Sequence, residues 1–378
     1  MGLLLLRYKD DKRVPKQRPL HNEADSCFLL FLLKFLRADK ERLQMDFFSY
    51  EGAKRIGSEN ILVKVDQLID WSRFSLLLKR AHIGKQLGPT GYDPLLLFKC
   101  LLLGQWHGLS DPQLEESLKI RLDFMLFAGL DLHSRIPDET THCRFRNHLV
   151  AKGLFDDFLN EVCFQLEEHG LKLKKAETAI VDATLIDSSA RPNKVLDTIA
   201  QDREEDKTGC EIAESLSADP DARWVKKGRK STFGYKGFVR CDEEGFVDCT
   251  HVTPLSEAES PQLEKLADGA KAKRFLADKA YASKANRKHL KDRKIKDGIM
   301  HKAVRNRPLK ASWRRFNKFI SKRRFRVEQV FGTAKRLFDM GRARYFSTIK
   351  THAQLTMIAI CMNLLKAANK IKLCPESA

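Results

Sequence analysis

The sequence AETAIVDATLIDSS, residues 176–189, is an apolar run that carries one carboxylate, Asp182, near its middle. Such a run is typical of a buried strand. An unpaired carboxylate inside a core costs free energy, so another group must compensate Asp182. The run RFLADKAY, residues 274–281, repeats the pattern with Asp278. We therefore expect two strands, each with an acid inside it that needs a partner.

A third acid lies in the helical pattern SKRRFRVEQVFGTAKRLF, residues 321–338. At about 100° per residue, four polar positions fall within about 60° of one another. These are Ser321, Arg324, Glu328 and Lys335. An apolar stripe adjoins them, so the helix is expected to present Glu328 between two cations at the border of the core.

Three carboxylates from two strands and a helix suit Mg²⁺, which prefers oxygen ligands and keeps some of its waters. Two such ions about 3.5–4 Å apart can activate an attacking oxygen and stabilise the leaving one in phosphodiester displacement. Each acid taken singly has an ordinary alternative. Asp182 and Asp278 could accept backbone N–H groups at a strand end, and Glu328 could be a solvent-facing residue paired with Arg324.

The charge balance indicates a polyanionic partner. The 378 residues include 69 Lys and Arg against 50 Asp and Glu, a net charge of +19, which favours nucleic acid or an acidic membrane surface. Between residues 302 and 350 there are sixteen Lys or Arg against two acids, with Trp313, Phe316 and Phe319 among them. We interpret this segment as a track for a DNA backbone, with a solvated charged face as the alternative.

Individual cations in and near this segment are candidates for DNA contact. The C-terminal candidates are Arg324, Lys335, Arg305, Arg307 and Arg326. Arg144 and Arg146, in TTHCRFRNHL, are candidates in the N-terminal half. For these two, a structural ion pair is an equal alternative.

Other functional classes receive little support. Nine cysteines without a CxxC pair indicate neither a disulfide framework nor a zinc knuckle, and a reducing cytoplasm is expected. Cys241, Cys249 and His251 lack a fourth ligand at suitable spacing, so buried thiols are favoured over a metal site. The apolar run at residues 27–36 is too short to span a membrane and contains Lys34. We expect no membrane partner.

The pattern changes along the chain from helical spacing at residues 60–170 to strands from residue 176. We expect an extension or poorly ordered arm at 1–44, a helical domain for DNA binding or assembly at 45–172, and a mixed α/β domain at 173–370. A polar insertion is expected at about 187–230 and a tail at 371–378.

These motifs resemble those of DDE transposases with a ribonuclease-H-like catalytic domain, and most closely the insertion-sequence family five group. VDATLIDSS resembles the first-Asp strand and LADKAYAS the second-Asp motif. Arg324, Glu328 and Lys335 match the R-x3-E-x6-K part of the family signature, and Ser321 stands in place of its Tyr. The block YDPLLLFKC to DETTHCRFRNHL resembles the helical N-terminal domain. The resemblance covers roughly residues 45–370.

The resemblance implies a fold and a reaction. The fold is a ribonuclease-H-like mixed five-stranded sheet with flanking helices, preceded by an all-helical domain. Asp182, Asp278 and Glu328 are implied to hold two Mg²⁺ (or Mn²⁺) ions for cleavage and strand transfer at terminal inverted repeats. At least a dimer on DNA and a nucleoid-associated location are also implied. Ala258-Glu259 stands where family members often carry His-Asp, which leaves any role of that pair open.

Two other functions remain open. One is a metal-dependent nuclease of the same fold that cuts DNA without joining it. The other is a non-enzymatic DNA-binding protein derived from a transposase.

Overall fold

A computed structural model gives the fold of most of the chain. The described residues are 52, 54–80, 91–190, 194–195, 214–215, 218–227, 229–303, 306 and 308–371. All of them lie in one compact unit, Ser49–Ala378. The expectations for residues 1–44 and for the tail beyond Ile371 concern residues outside this described part.

The described chain between residues 61 and 168 is helical, as its periodicity predicts. Its helices are α1 Ile61–Leu68, α2 Trp71–Arg80, α3 Pro94–Trp106, α4 Asp111–Ile120, α5 Leu122–Ala128, α6 Glu139–Lys152 and α7 Phe155–Glu168. Local signals fix several of the ends. The Asp93 carboxylate accepts the Leu95 N–H ahead of Pro94, and Ser110 and Gln113 form a reciprocal capping box.

A mixed sheet follows these helices. Its strands are β1 Ala176–Asp187, β4 Arg223–Lys227, β5 Lys230–Cys241, β6 Val247–Pro254, β7 Ala272–Ala277 and β8 Lys296–Ile299. Strand β1 runs antiparallel to β5 and parallel to β7, and β7 runs parallel to β8. Strands β5 and β6 form a hairpin around Asp242 and Gly245. Two short strands, β2 Lys194–Val195 and β3 Glu214–Ser215, pair separately.

The mixed α/β class is confirmed, but the described sheet has six strands where five were expected. The additional strand, β4, lies in the segment interpreted as a polar insertion. It pairs with residues 230–234 of β5, of which 230–233 extend beyond the residues paired with β1 and β6. Three of its five residues are Arg or Lys, and the strand faces solvent: even Trp224 is 47% exposed.

The remaining helices cover the sheet. They are α8 Leu263–Ala267, α9 Lys284–Asp292, α10 Ala311–Leu337 and α11 Thr348–Lys370. Helix α11 is buried on nearly all sides because it packs both on β6 and on α1, α3 and α7. Helical region and sheet therefore share one hydrophobic core, and the domain division at residues 172–173 stays a prediction. No helix in the described part combines the length and apolar character that crossing a membrane requires.

Candidate active site

Asp182 lies in the middle of β1, as its sequence context predicts. Its backbone pairs with Val239 of β5, and its side chain is 21% exposed. Burial raises the pKa of this carboxyl above its usual value, and the positive charge of Arg324 opposes that rise. Asp182 is thus a partly desolvated acid held close to a cation.

Asp278 lies one residue beyond the end of β7 rather than inside a strand, which corrects the prediction. It caps the 3₁₀ turn Lys279–Tyr281, and its Oδ1 accepts the Lys279 N–H at 2.6 Å. The parallel register pairs Ile180 with Leu276. Asp182 and Asp278 each follow this pair by two residues, so they lie at the same level of the sheet. Neighbouring parallel strands thus bring the two acids side by side.

Arg324 lies between these two acids. Its Nη2 is 2.8 Å from Oδ2 of Asp182, and its Nη1 is 3.6 Å from Oδ1 of Asp278. Helix α10 packs on β1 with Arg324 and Val327 on its buried side. The sequence requires a partner for Asp182, and in this structure the partner is Arg324.

Glu328 lies one helical turn after Arg324 and is exposed. Within the described residues, no three acidic, histidine or cysteine side chains approach one another closely enough to hold a metal ion. The structure therefore brings Asp182 and Asp278 together and leaves Glu328 outside their immediate group. Cys241 and Cys249 are free thiols.

Comparison with known proteins gives the family of the chain. The family described as "Transposase DDE domain" matches residues 174–364, and "Transposase domain (DUF772)" matches residues 51–148. The transposase for insertion sequence element IS1106 of Neisseria meningitidis serogroup B is 42% identical over 236 residues, which cover 62% of this chain and 80% of that protein. The chain belongs to the DDE transposase family.

Two solved transposase structures are similar to this transposase at low sequence identity. A piggyBac synaptic complex with hairpin DNA has a TM-score of 0.39 at 13% identity and covers 78% of this chain and 70% of its own. A Mos1 mariner paired-end complex with Mn has a TM-score of 0.18 at 12% identity. The match covers 93% of this chain and 99% of the Mos1 chain.

Family membership confirms the resemblance to DDE transposases and the class of reaction. The transposase is an enzyme of DNA transposition that cleaves DNA and transfers strands, and its domain implies dependence on divalent metal ions. Assignment to the family five group stays a prediction.

The acid pair of the transposase fits a divalent cation in its donor chemistry. Both groups offer carboxylate oxygens, which are hard ligands suited to Mg²⁺ or Mn²⁺. The side chains of Asp182 and Asp278 are 21% and 32% exposed, so solvent and a phosphate can approach them. They already converge on one cation, the Arg324 guanidinium.

The other predicted DNA contacts differ in their surroundings. Arg144, Arg326 and Lys335 are exposed. Arg146 instead donates from both Nη atoms to the Asp111 carboxylate, at 2.8 and 2.6 Å, and stacks on Tyr345. This contact is the structural ion pair considered as its alternative. Arg305 and Arg307 lie outside the described residues.

Two residues near the acids were not among the predicted site residues. Tyr281 is fully buried, and its hydroxyl has no hydrogen-bond partner among the described residues. Burial raises the pKa of Tyr281, and the charges of Glu259 and Asp182 add to the rise. Glu259 lies 3.7 Å from Nζ of Lys236. The spacing Asp278-x2-Tyr281 was visible in the sequence, but a pattern of letters does not reveal burial without a partner.

Proposed function

We propose that this transposase binds the terminal inverted repeats of its insertion sequence, cuts at the ends and joins the 3′ ends to target DNA. Asp182, Asp278 and Glu328 are its proposed catalytic acids. The observation that carries the proposal is the convergence of Asp182 and Asp278, from neighbouring strands, on one buried cation. Desolvation of Asp182 also supports this proposal, because a buried carboxylate favours a cationic ligand.

The proposed cofactor is a pair of Mg²⁺ or Mn²⁺ ions. When bound, such ions activate an attacking oxygen and stabilise the leaving one in phosphodiester displacement. The two aspartates would hold them from the sheet. Glu328 would approach from the next turn of α10, the helix that already packs on β1.

The proposed DNA path runs along α10. This helix carries nine Lys or Arg and a single acid, Glu328. Every residue between Ala311 and Phe319 is exposed or half-buried, so this half of the helix is accessible. DNA phosphates would be bound by Arg326, by Lys335 and by Arg324 once its side chain leaves the two aspartates. Arg144 would add a contact from α6. At least a dimer on DNA, membership of the family five group and association with the nucleoid belong to the same proposal.

The proposed reaction needs neither ATP nor a covalent enzyme intermediate. Water attacks the phosphodiester at the end of the element, and the 3′-hydroxyl so released attacks target DNA. Each step exchanges one phosphorus–oxygen bond for another.

The experiment measures cleavage and strand transfer on a donor plasmid that carries the two ends. Asp182→Asn, Asp278→Asn and Glu328→Gln should each lower both rates by more than about a hundredfold, since losing an outer partner of a metal ligand alone costs 10–100-fold. Glu177→Gln is the matched control, because Glu177 is an exposed acid on the same strand as Asp182. Full activity of Glu328→Gln would remove that residue from the proposed set.

A second assay supplies pre-cut ends with target DNA. Joined product is expected. Cleavage of the donor plasmid without any joining would instead identify a nuclease of the same fold.

A further inference from the structure

Arg324 is a buried cation whose hydrogen bonds are incomplete. It is 8% exposed, and a guanidinium carries five N–H donors. One close ion pair reaches Asp182, and a longer one of 3.6 Å reaches Asp278. Nη1 also meets Sδ of Met300 at 3.9 Å. The Nε–H group has no hydrogen-bond partner among the described residues.

Arg240 provides the contrast within the same molecule. It is 4% exposed, and its Nε donates to Asp248 at 2.7 Å. Its Nη1 donates to the carbonyl oxygens of Leu266 and Asp268 at 2.7 and 2.6 Å. Arg240 thus connects β5 to β6 and to the end of α8 through well-formed hydrogen bonds. Arg324 is held only loosely, by two carboxylates and a thioether.

The carboxylates that hold Arg324 are those that the proposed function gives to the metal. A guanidinium stays protonated at ordinary pH, so Arg324 cannot yield its place by losing a proton. A divalent cation beside it would meet like-charge repulsion. Metal binding by Asp182 and Asp278 therefore requires the Arg324 side chain to move away.

A DNA phosphate is the group best suited to receive the displaced side chain. A guanidinium binds phosphate through two parallel N–H donors, a geometry that a single carboxylate oxygen at 3.6 Å does not give. Arg324 also lies on α10, whose other cations would attract the same DNA backbone.

We propose that Arg324 is an exchangeable cation that holds Asp182 and Asp278 in the free protein and releases them to metal when a DNA phosphate binds its guanidinium. This inference rests on the proposed function. It makes Arg324 a positioning residue that acts through the two acids. DNA and metal then bind cooperatively, because both favour the state in which Arg324 has left the acids.

The first test measures Mn²⁺ binding to the full chain without DNA, by isothermal titration calorimetry. Arg324→Gln removes the competing charge and should tighten Mn²⁺ binding by about tenfold or more, within the usual range of coupling between sites. Arg323→Gln is the matched control. It removes the same charge from the adjacent, exposed position, where the guanidinium stacks on Phe319, and should change the affinity by less than about threefold because solvent screens it.

Equal or weaker Mn²⁺ binding by Arg324→Gln overturns the proposal, since an arginine that only supports the fold would give that result. If this variant does not fold, Arg324→Lys replaces it. A lysine ammonium lacks the fork that spans both acids, so tighter Mn²⁺ binding than in the unaltered protein is again expected, and unchanged binding overturns the proposal.

A double variant separates this inference from the proposed function. Adding Asp182→Asn to Arg324→Gln should abolish Mn²⁺ binding. Unchanged binding in the double variant would refute the metal site itself, whatever the role of Arg324. In a final arm, a duplex of the element's end should tighten Mn²⁺ binding by the unaltered protein and not by Arg324→Gln. No tightening in the unaltered protein overturns the coupling.

Discussion

Asp242, at the β5–β6 hairpin, should make the stability of the protein depend on pH. It is 3% exposed. Its Oδ1 accepts the N–H groups of Glu244 and Phe246 at 3.0 and 2.9 Å, whereas its buried Oδ2 has no hydrogen-bond partner among the described residues. Burial raises the pKa of Asp242 to about 6, against the opposing effects of the Phe246 N–H and of Lys172.

The direction of this pH dependence follows from proton binding by Asp242 in the folded and unfolded states. Between about pH 4 and pH 6 the folded carboxyl keeps its proton while the unfolded one, with a pKa of about 3.9, loses it. Stability from this group is therefore complete below about pH 4 and falls as pH rises through about 6. The difference between the two pKa values corresponds to about 3 kcal/mol at pH 8 and about 1.5 kcal/mol at pH 5.

Asp242→Asn keeps the Oδ1 acceptor and removes the ionisation. Its new amide N–H groups lack an acceptor, which costs about 1 kcal/mol at every pH. We expect the variant to be more stable than the unaltered protein by about 2 kcal/mol at pH 8 and by about 0.5 kcal/mol at pH 5.

Urea denaturation at both pH values, followed by circular dichroism, measures this difference. Glu264→Gln, on the exposed side of α8, is the control and should show no such dependence. A stability difference between Asp242→Asn and the unaltered protein that is the same at pH 5 and pH 8 would refute the reasoning.

Two further predictions concern the cations. Arg240→Met should lower the free energy of unfolding by about 3 kcal/mol in the same assay, because it leaves the Asp248 carboxylate and the carbonyl oxygens of Leu266 and Asp268 without their donor. A loss below about 1 kcal/mol would show that solvent reaches this pocket. Lys335→Gln should weaken binding to duplex DNA and reduce the slope of log affinity against log salt by about 1, as measured by fluorescence anisotropy. An unchanged slope would place Lys335 off the DNA path.

Much of the local structure follows from the sequence. The apolar run around Asp182 predicted β1, and the 3.6-residue period predicted α10 with Arg324 facing the core border and Glu328 beside it. Pro94 and the Ser110–Gln113 pair lie at the starts of α3 and α4, where local residue types favour a helix end. These features depend on backbone geometry and on contacts within a few residues, which the order of residues specifies directly.

Contacts between distant segments were decided only in the folded molecule. The parallel register of β1 and β7 set Asp182 beside Asp278, and packing of α10 on β1 made Arg324 their common partner. Tertiary contact also made Arg146 an ion pair with Asp111 and gave β4 its place along β5. A sequence pattern shows which side of an element is buried. It does not name the residue that meets that side, because the partner can lie far away along the chain, as Arg324 lies 142 positions after Asp182, and is chosen by the packing of the whole core.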